Sequence, residues 1–249
     1  MSVILFSFND SRRIIVWEGF TLRWYAKLVQ NDELIAAFGN SLFIALACMI
    51  ASLFLGTLSA YALWRFRFPL RTTFESVLTV PMVVPEICMG VAMMVFFTRI
   101  ISWPIGMDWP FNLGPVIISH VCFSFPFVAM VVRARLNSFN PEFEEAAKVL
   151  GASDTQVITD IILPHIFPAL VAGGLLAFTL SLDDFVITFF TAGPDTVTFP
   201  VKIYSMLRFS VTPEVNAAST VLIVVTVVFT IIAMKFQRDE TSNPEFSKS

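Results

Sequence analysis

Three carboxylates occur in stretches of the sequence that are otherwise strongly apolar: Asp183, Asp184 and Glu86. An acidic side chain at the centre of a membrane span costs about 2.5 to 3.5 kcal/mol on insertion scales, so each one needs a partner or a polar path. A carboxylate in such a place can balance the charge of a cation. We therefore treat all three as candidate residues of a cation pathway.

Asp183 and Asp184 fall in the outer half of a span that the apolar pattern predicts over residues 168–190. On one continuous helix, Ser181, Asp184 and Thr188 share a face at positions i, i+3 and i+7, and Asp183 points about 100° away. This arrangement predicts one acid facing a path and the other facing a neighbouring helix. Pairing with an Arg, capping of a helix and protonation remain open as structural roles.

Glu86 follows two prolines, Pro81 and Pro85, in another apolar stretch. The prolines predict an interrupted backbone ladder with exposed carbonyls, which membrane proteins tolerate where the broken helix lines a cavity. Carbonyls and carboxylates together suit a cation. A purely structural role for Glu86 stays open here as well.

The elements that must position these acids are membrane spans. The chain has 249 residues, of which 56% are apolar and only 14% charged, and it contains 27 Phe. Such a composition is far from that of a soluble domain, and the apolar runs are long enough to cross a bilayer. Five spans are predicted, over residues 38–63, 74–97, 113–132, 168–190 and 216–234.

Orientation follows from Lys and Arg at the span ends, which favour the cytoplasmic side. They gather at Arg65, Arg67 and Arg71, at Arg133 and Arg135, and at Lys235 and Arg238. This predicts that the loop over 133–165 and the C-terminus lie inside, and that residues 9–37 lie outside.

Other reactive residue types do not form a site by their spacing. His120 is predicted to be a hydrogen-bonded residue within a span, with a proton relay as the alternative. Neither it nor His165 has a Cys, Asp or Glu at metal-ligand spacing, so no metal site is predicted. The sequence contains no G-x-x-x-x-G-K-[ST] loop, and ATP chemistry would have to come from another chain.

The predicted cytoplasmic loop contains two short helices. Asn140 suits an N-cap, Gly151 suits a stop, and the helix between them has an apolar stripe. The stripe consists of Phe143, Ala146, Ala147 and Leu150. Ser153 and Gln156 form a capping pattern that predicts a second helix, which Pro164 is expected to end. From periodicity alone, packing on its own spans or on lipid is as good an interpretation as a protein partner.

The spacing within this loop resembles the EAA motif of type I ABC importer permeases. The matching residues are Glu145, Ala146, Ala147, Gly151, Ile161, Leu163 and Pro164. In that family the short helix couples the membrane subunit to a cytoplasmic ATPase. The resemblance therefore implies a partner for the apolar stripe and an ATPase-coupling role for these residues.

The resemblance extends over nearly the whole chain and is closest to permeases of spermidine/putrescine importers. The supporting segments are 20–25, which contains Trp24, and 176–185, 202–206 and 211–217. It implies an all-α polytopic fold with normally six spans, five of them complete here. The implied parts are the end of a truncated or missing first span (1–8), a periplasmic segment (9–37), a transmembrane domain (38–234) with the coupling loop (137–166), and a cytoplasmic tail (235–249).

The function implied is ATP-driven import of polyamines by a non-enzymatic subunit of the bacterial inner membrane. Its partners would be an ABC ATPase dimer, a second permease in a heterodimer, a periplasmic binding protein and membrane lipid, with no cofactor and no nucleic acid. The substrate-path candidates are Asp184, Asp183, Glu86, Ser181 and Trp24. Two alternatives stay open: an ABC permease for another small solute, and an ion-coupled secondary transporter.

Overall fold

The structure, a computed structural model, describes residues 2–11, 16–101, 112–193, 196–209 and 213–241. These residues are almost entirely helical, and their only extended pairing is an isolated bridge between Asn9 and Phe20. The predicted all-α fold is confirmed.

The helices, numbered along the chain, are α1 (Ser2–Phe6), α2 (Arg23–Val29), α3 (Asp32–Arg65), α4 (Arg71–Val83), α5 (Glu86–Val95), α6 (Leu113–Asn137), α7 (Glu142–Val149), α8 (Asp154–Leu182), α9 (Val186–Thr191), α10 (Phe199–Phe209) and α11 (Pro213–Thr241). A π-helical turn, Phe96–Ile101, extends α5.

Four helices, α3, α6, α8 and the part of α11 over Pro213–Ile232, are long and apolar enough to cross a membrane. The pair α4 and α5, which is bent at a break, is long and apolar enough to be counted as a fifth when the two helices are taken together. The five predicted spans therefore all correspond to helices among the described residues.

The break between α4 and α5 lies at Val84 and Pro85. Val84 has φ −70° and ψ 132°, the extended conformation that a residue before proline prefers. Pro81 stands inside α4 without ending it. The predicted interruption is present, and Pro85 is the residue that causes it.

The fourth span differs from its prediction at both ends. Helix α8 runs without a break through Pro164 and Pro168, so the prediction that Pro164 ends a separate helix was wrong. The turn before it, Val157–Ile162, is π-helical, and this wider turn moves the backbone carbonyls away from the proline ring.

At its other end α8 stops at Leu182, and α9 begins at Val186. Asp183 and Asp184 therefore lie between two helices, and the prediction of one continuous helix through them was wrong. The last span also differs, because α11 continues to Thr241, into the predicted tail. Residues 242–249 of that tail lie outside the described residues.

The chain folds as two compact units. The first comprises residues 1–47, 85–120 and 179–229. Its apolar core is formed by Leu34, Phe199, Ile203, Val215 and Ala218. Within this unit the start of α10 is tied to α3, since the Phe199 amide donates to Ser41 Oγ at 2.8 Å.

The second unit comprises residues 48–84, 121–178 and 230–249. Its core centres on Val128, Val132, Leu136 and Ile162. Glycines allow close helix packing here: a Cβ on Gly56 of α3 would lie 2.8 Å from Val128 Cβ, and one on Gly173 of α8 would lie 3.2 Å from Val128 Cγ1.

Candidate functional site

In the first unit, Asp184 caps the short helix that follows the break after α8. Its Oδ1 accepts a hydrogen bond from the Ile187 amide at 3.3 Å, and its Oδ2 accepts one from the Thr188 amide at 2.9 Å. Thr188 Oγ1 also donates to Oδ2, at 3.0 Å. Asp is a preferred residue for this task, because the first amides of a helix have no partner within the helix.

His120 of α6 completes the surroundings of Asp184. Its Nδ1 lies 2.7 Å from Ser181 Oγ, and its Nε2 lies 2.9 Å from Thr188 Oγ1 and 3.3 Å from Asp184 Oδ2. The side chains of His120 and Asp184 are only 2% and 6% exposed. Because Thr188 Oγ1 donates to Asp184, its oxygen can accept a hydrogen bond from Nε2, and Nδ1 is paired with the Ser181 hydroxyl. Each of these buried polar groups is satisfied.

Asp183 has a different environment from its neighbour. Its side chain is exposed, and its backbone amide closes the last turn of α8 on the Thr179 carbonyl at 3.3 Å. It lies close enough to Asp184 and Glu86 for their charges to interact. Glu86 is exposed at the first turn of α5, a favourable place for a negative charge.

Close packing of α5 on α9 brings these two breaks together. A Cβ on Gly90 of α5 would lie 2.7 Å from Phe190 Cδ2 and 3.4 Å from Ile187 Cα. Only glycine permits this approach without a shift of the ring. The result is a pair of exposed carboxylates, Asp183 and Glu86, beside a buried and fully bonded one, Asp184.

An aromatic group adjoins the acids. The ring centroid of Phe185 lies 4.7 Å from that of Tyr204 and 5.5 Å from that of Phe189. Phe189 and Tyr204 are about half exposed, at 53% and 48%. Exposed faces of such rings attract cations.

Of the five predicted path residues, the structure brings four together: Asp183, Asp184, Glu86 and Ser181. The fifth, Trp24, is 6% exposed, and its indole Nε1 donates to the Asn9 carbonyl at 2.8 Å. Its contacts are with the N-terminal segment, and its place on a substrate path stays a prediction.

The coupling-loop residues lie in the second unit. Asn140 acts as the predicted cap, since its Oδ1 accepts from the Glu142 amide at 3.0 Å, and α7 begins at Glu142, after Pro141. Gly151 follows the helix with φ +91°, a conformation that favours glycine. Ser153 and Gln156 form the predicted capping box at the start of α8.

The outer face of α7 presents apolar side chains. Phe143 is 52% exposed and Leu150 is 88% exposed, and Ala146 and Glu145 are also exposed. Ala147 instead packs against the core of the unit. Most of the predicted stripe is therefore available for contact with another surface.

The remaining residues of the EAA-like motif are likewise divided between packed and exposed positions. Ile161 packs against the core of the unit, whereas Gly151, Leu163 and Pro164 are exposed.

Sequence reasoning missed Glu144, which is only 7% exposed on this otherwise exposed helix. Its partner Arg65 is distant along the chain, and no spacing rule links the two. In the sequence, nothing distinguishes Glu144 from the neighbouring Glu142 and Glu145 as the residue that becomes buried.

The described residues thus define a class of protein, a polytopic helical membrane transporter with a broken-helix acidic site and an exposed loop helix. Residues 33–238 match the family described as "Binding-protein-dependent transport system inner membrane component". The chain belongs to this family, and it is an inner-membrane transport subunit.

Two curated relatives cover most of the chain. It is 40% identical over 239 residues to "Spermidine/putrescine transport system permease protein PotC" of Escherichia coli (strain K12), covering 96% of this chain and 88% of that protein. It is 38% identical over 226 residues to "Putrescine transport system permease protein PotI" of the same strain, covering 90% and 79%.

The fold is also found in solved transporters. A bacterial ABC transporter involved in the import of the acidic polysaccharide alginate superposes with a TM-score of 0.74 at 19% identity, covering 95% of this chain and 87% of that chain. This likeness shows the fold alone.

Proposed function

We propose that this chain is the permease subunit of an ATP-driven importer whose substrates are polyamines such as spermidine and putrescine. The observation that carries the substrate class is the pair of exposed carboxylates, Asp183 and Glu86, at two adjoining helix breaks. Similarity to relatives named as spermidine/putrescine and putrescine permeases supports the same class.

The chemistry of the site fits a flexible polycation. A polyamine has two or more ammonium groups separated by apolar carbons, and one ammonium can lie at each exposed carboxylate. Phe189 and Tyr204 offer ring faces for the charge and for the intervening carbons. Asp184 contributes indirectly, since its carboxylate is already used to cap α9.

Because Asp183 and Glu86 are both exposed, we expect the site to let a cationic substrate pass and not to hold it tightly. Opposite charges attract less strongly where water screens them than in a dry site. In a complex that receives its substrate from a separate binding protein, a shallow site in the permease allows release toward the cytoplasm. We propose that Asp183 and Glu86 steer the substrate.

The rest of the complex follows from the exposed face of α7. We propose that Phe143, Ala146 and Leu150 dock into a cytoplasmic ATPase subunit, with Glu145 beside them. An ATPase dimer, a second permease forming a heterodimer with this one, and a periplasmic binding protein would complete the importer. This chain supplies the pathway and the docking surface.

Uptake of labelled solutes tests the substrate class. We would express the chain with its neighbouring subunits in cells that lack their own polyamine importers, and offer spermidine, putrescine, sulfate and a neutral amino acid. We expect saturable uptake of the two polyamines and none of the other solutes, with uptake reduced in Asp183→Asn and Glu86→Gln.

A matched control is Glu142→Gln, which removes an exposed carboxylate far along the chain from the acidic site. It should leave uptake unchanged. Energy-dependent uptake of sulfate or the amino acid without polyamine uptake would contradict the polyamine assignment.

A further inference from the structure

Helix α7 has a buried charge that its docking role does not require. Glu144 is 7% exposed, whereas Glu142 and Glu145 on either side are exposed. Burial of a carboxylate is costly unless counter-charges and hydrogen-bond donors replace water.

Arg65, the last residue of α3, provides both. Its Nη1 donates to Glu144 Oε2 at 3.0 Å and its Nη2 donates to Oε1 at 2.7 Å. Lys148 Nζ donates to Oε1 at 2.9 Å. A two-pronged guanidinium–carboxylate pair fixes direction as well as distance, which a single contact does not.

The charge state of Glu144 is stable under physiological conditions. Hydrogen bonds from Lys148 and then Arg65 hold the pKa of the carboxyl below its usual value of 4.5. Because the pKa is lowered on folding, the stabilisation is fully present above the ordinary carboxyl range. It is lost only when the pH falls through the lowered value.

An aromatic contact lies beside the ion pair. Trp64, which precedes Arg65, packs edge-to-face on Phe139 with centroids 5.9 Å apart. Phe139 in turn lies 6.4 Å from Phe143 of α7. Arg65 therefore contacts α7 directly through charge, and Trp64 is linked to it through Phe139.

Helix α7 has a second ion pair to a long helix, and this pair is more exposed. The helix has eight residues and ends near Gly151 at φ +91°, where the chain turns sharply. Its other ion pair to a long helix joins Lys148 to Asp154 at 3.2 Å, and the Asp154 side chain is 86% exposed. Exposed pairs contribute little to stability, so of these two ion pairs the one between Arg65 and the buried Glu144 is the stronger link between α7 and a long helix.

We propose that Arg65 and Glu144 are positioning residues that transmit movement of the docked α7 to the end of α3, and so couple ATP hydrolysis to opening of the pathway. This inference rests on the proposed function, since it presupposes an ATPase docked on α7. The pair touches neither substrate nor nucleotide.

The test measures transport and ATP hydrolysis in the same reconstituted complex, normalised to the amount of ATPase subunit bound. In Arg65→Gln and Glu144→Gln we expect hydrolysis to continue while the ratio of substrate transported to ATP hydrolysed falls about tenfold, as loss of a charge-assisted hydrogen bond would cause. A merely stabilising salt bridge would lower both activities in proportion and leave the ratio unchanged.

Reversing the charges around residue 144 should restore the ratio of transport to hydrolysis. The combined variant Arg65→Glu, Glu144→Arg, Lys148→Glu and Asp154→Asn restores opposite charges at both contacts of residue 144 and avoids a like charge opposite residue 148. It should recover most of the ratio. Glu142→Gln, on the same helix, is the matched control and should keep the normal ratio.

An unchanged ratio in the single variants, or a reduced ratio that the reversed network does not restore, would overturn the inference. Absence of ATP-dependent transport in the unaltered complex would instead contradict the proposed function, so the two failures are distinguishable.

Discussion

Asp183 and Asp184 are adjacent in sequence but have opposite environments. Asp184 is 6% exposed and bonded to backbone amides, a threonine hydroxyl and His120, whereas Asp183 is exposed near Glu86. The difference arises because the break after Leu182 directs one carboxylate toward the start of α9 and leaves the other uncapped. Substitutions of Asp183 and Asp184 should therefore affect different properties of the protein.

We expect Asp183→Asn to lower transport and Asp184→Asn to lower stability. Loss of the exposed charge should raise the apparent KM for a polyamine about tenfold, equivalent to about 1.4 kcal/mol, with normal amounts of folded protein. Loss of the buried charge should destabilise the subunit by about 1 to 3 kcal/mol, because its hydrogen bonds are charge-assisted. Uptake kinetics and thermal unfolding in detergent measure the two effects.

Each variant serves as the control for the other, since the side-chain change is identical. Equal loss of stability in both, with no specific change in KM for Asp183→Asn, would contradict the division of roles.

The sequence indicated these acids but not their division of roles. Carboxylates in an apolar run were conspicuous, and so were Ser181 and Thr188 near them. Which acid becomes a cap depends on where the helix breaks, and no proline or glycine marks the break at 183–185. The contact of His120 with Ser181 joins positions 61 residues apart, which helical periodicity cannot reveal.

Helices α5 and α9 position the acids through one glycine contact. We expect Gly90→Ala to destabilise the first unit by about 1 to 3 kcal/mol, because the added Cβ would overlap the Phe190 ring. Polyamine uptake should fall with it, since the two breaks would move apart. Thermal unfolding and uptake are measured on the same preparation.

Gly39→Ala is the matched control. Gly39 lies within α3, and nothing lies within 4 Å of its added Cβ. The change should preserve uptake and raise helix stability by up to about 1 kcal/mol. If Gly90→Ala behaved like Gly39→Ala, the proposed packing of α5 on α9 would be wrong.

Substitution of Gly151 tests the conformation of the turn that follows helix α7. Its added Cβ would have no neighbour within 4 Å, so any effect of substitution comes from the backbone at φ +91°. We expect Gly151→Ala to cost about 1 to 2 kcal/mol locally and to reduce binding of the ATPase subunit, measured by co-purification.

Gly151→Asn should be milder, because Asn adopts left-handed conformations more readily than Ala. If Gly151→Ala co-purified normally with the ATPase subunit, the orientation of the exposed face of α7 would not depend on the turn at Gly151.

Prolines show how far local rules predict helices in this chain. Pro85 breaks a helix as expected, because the residue before it adopts the extended conformation. Pro164 does not, because the preceding π-helical turn accommodates the ring. The rule concerns a regular helix, and no residue type before Pro164 indicated that this turn would be wider.

Composition predicted the overall architecture well. Apolar runs located five spans. The matching helices differ at their ends, where polar residues extend α3 and α11, and at the breaks within the predicted spans 74–97 and 168–190. Contacts such as Arg65 with Glu144, 79 residues apart, could not be predicted, since they depend on how the helices pack.

We propose that ATP hydrolysis, and not an ion gradient, drives this permease. The most direct measurement is polyamine uptake into proteoliposomes that contain the reconstituted complex, with ATP and the binding protein supplied or withheld and with imposed proton or sodium gradients. We predict uptake only with both ATP and the loaded binding protein, and none with an ATPase subunit unable to hydrolyse ATP. Uptake driven by an ion gradient in the absence of ATP would show that this chain belongs to an ion-coupled transporter and contradict ATP-driven import.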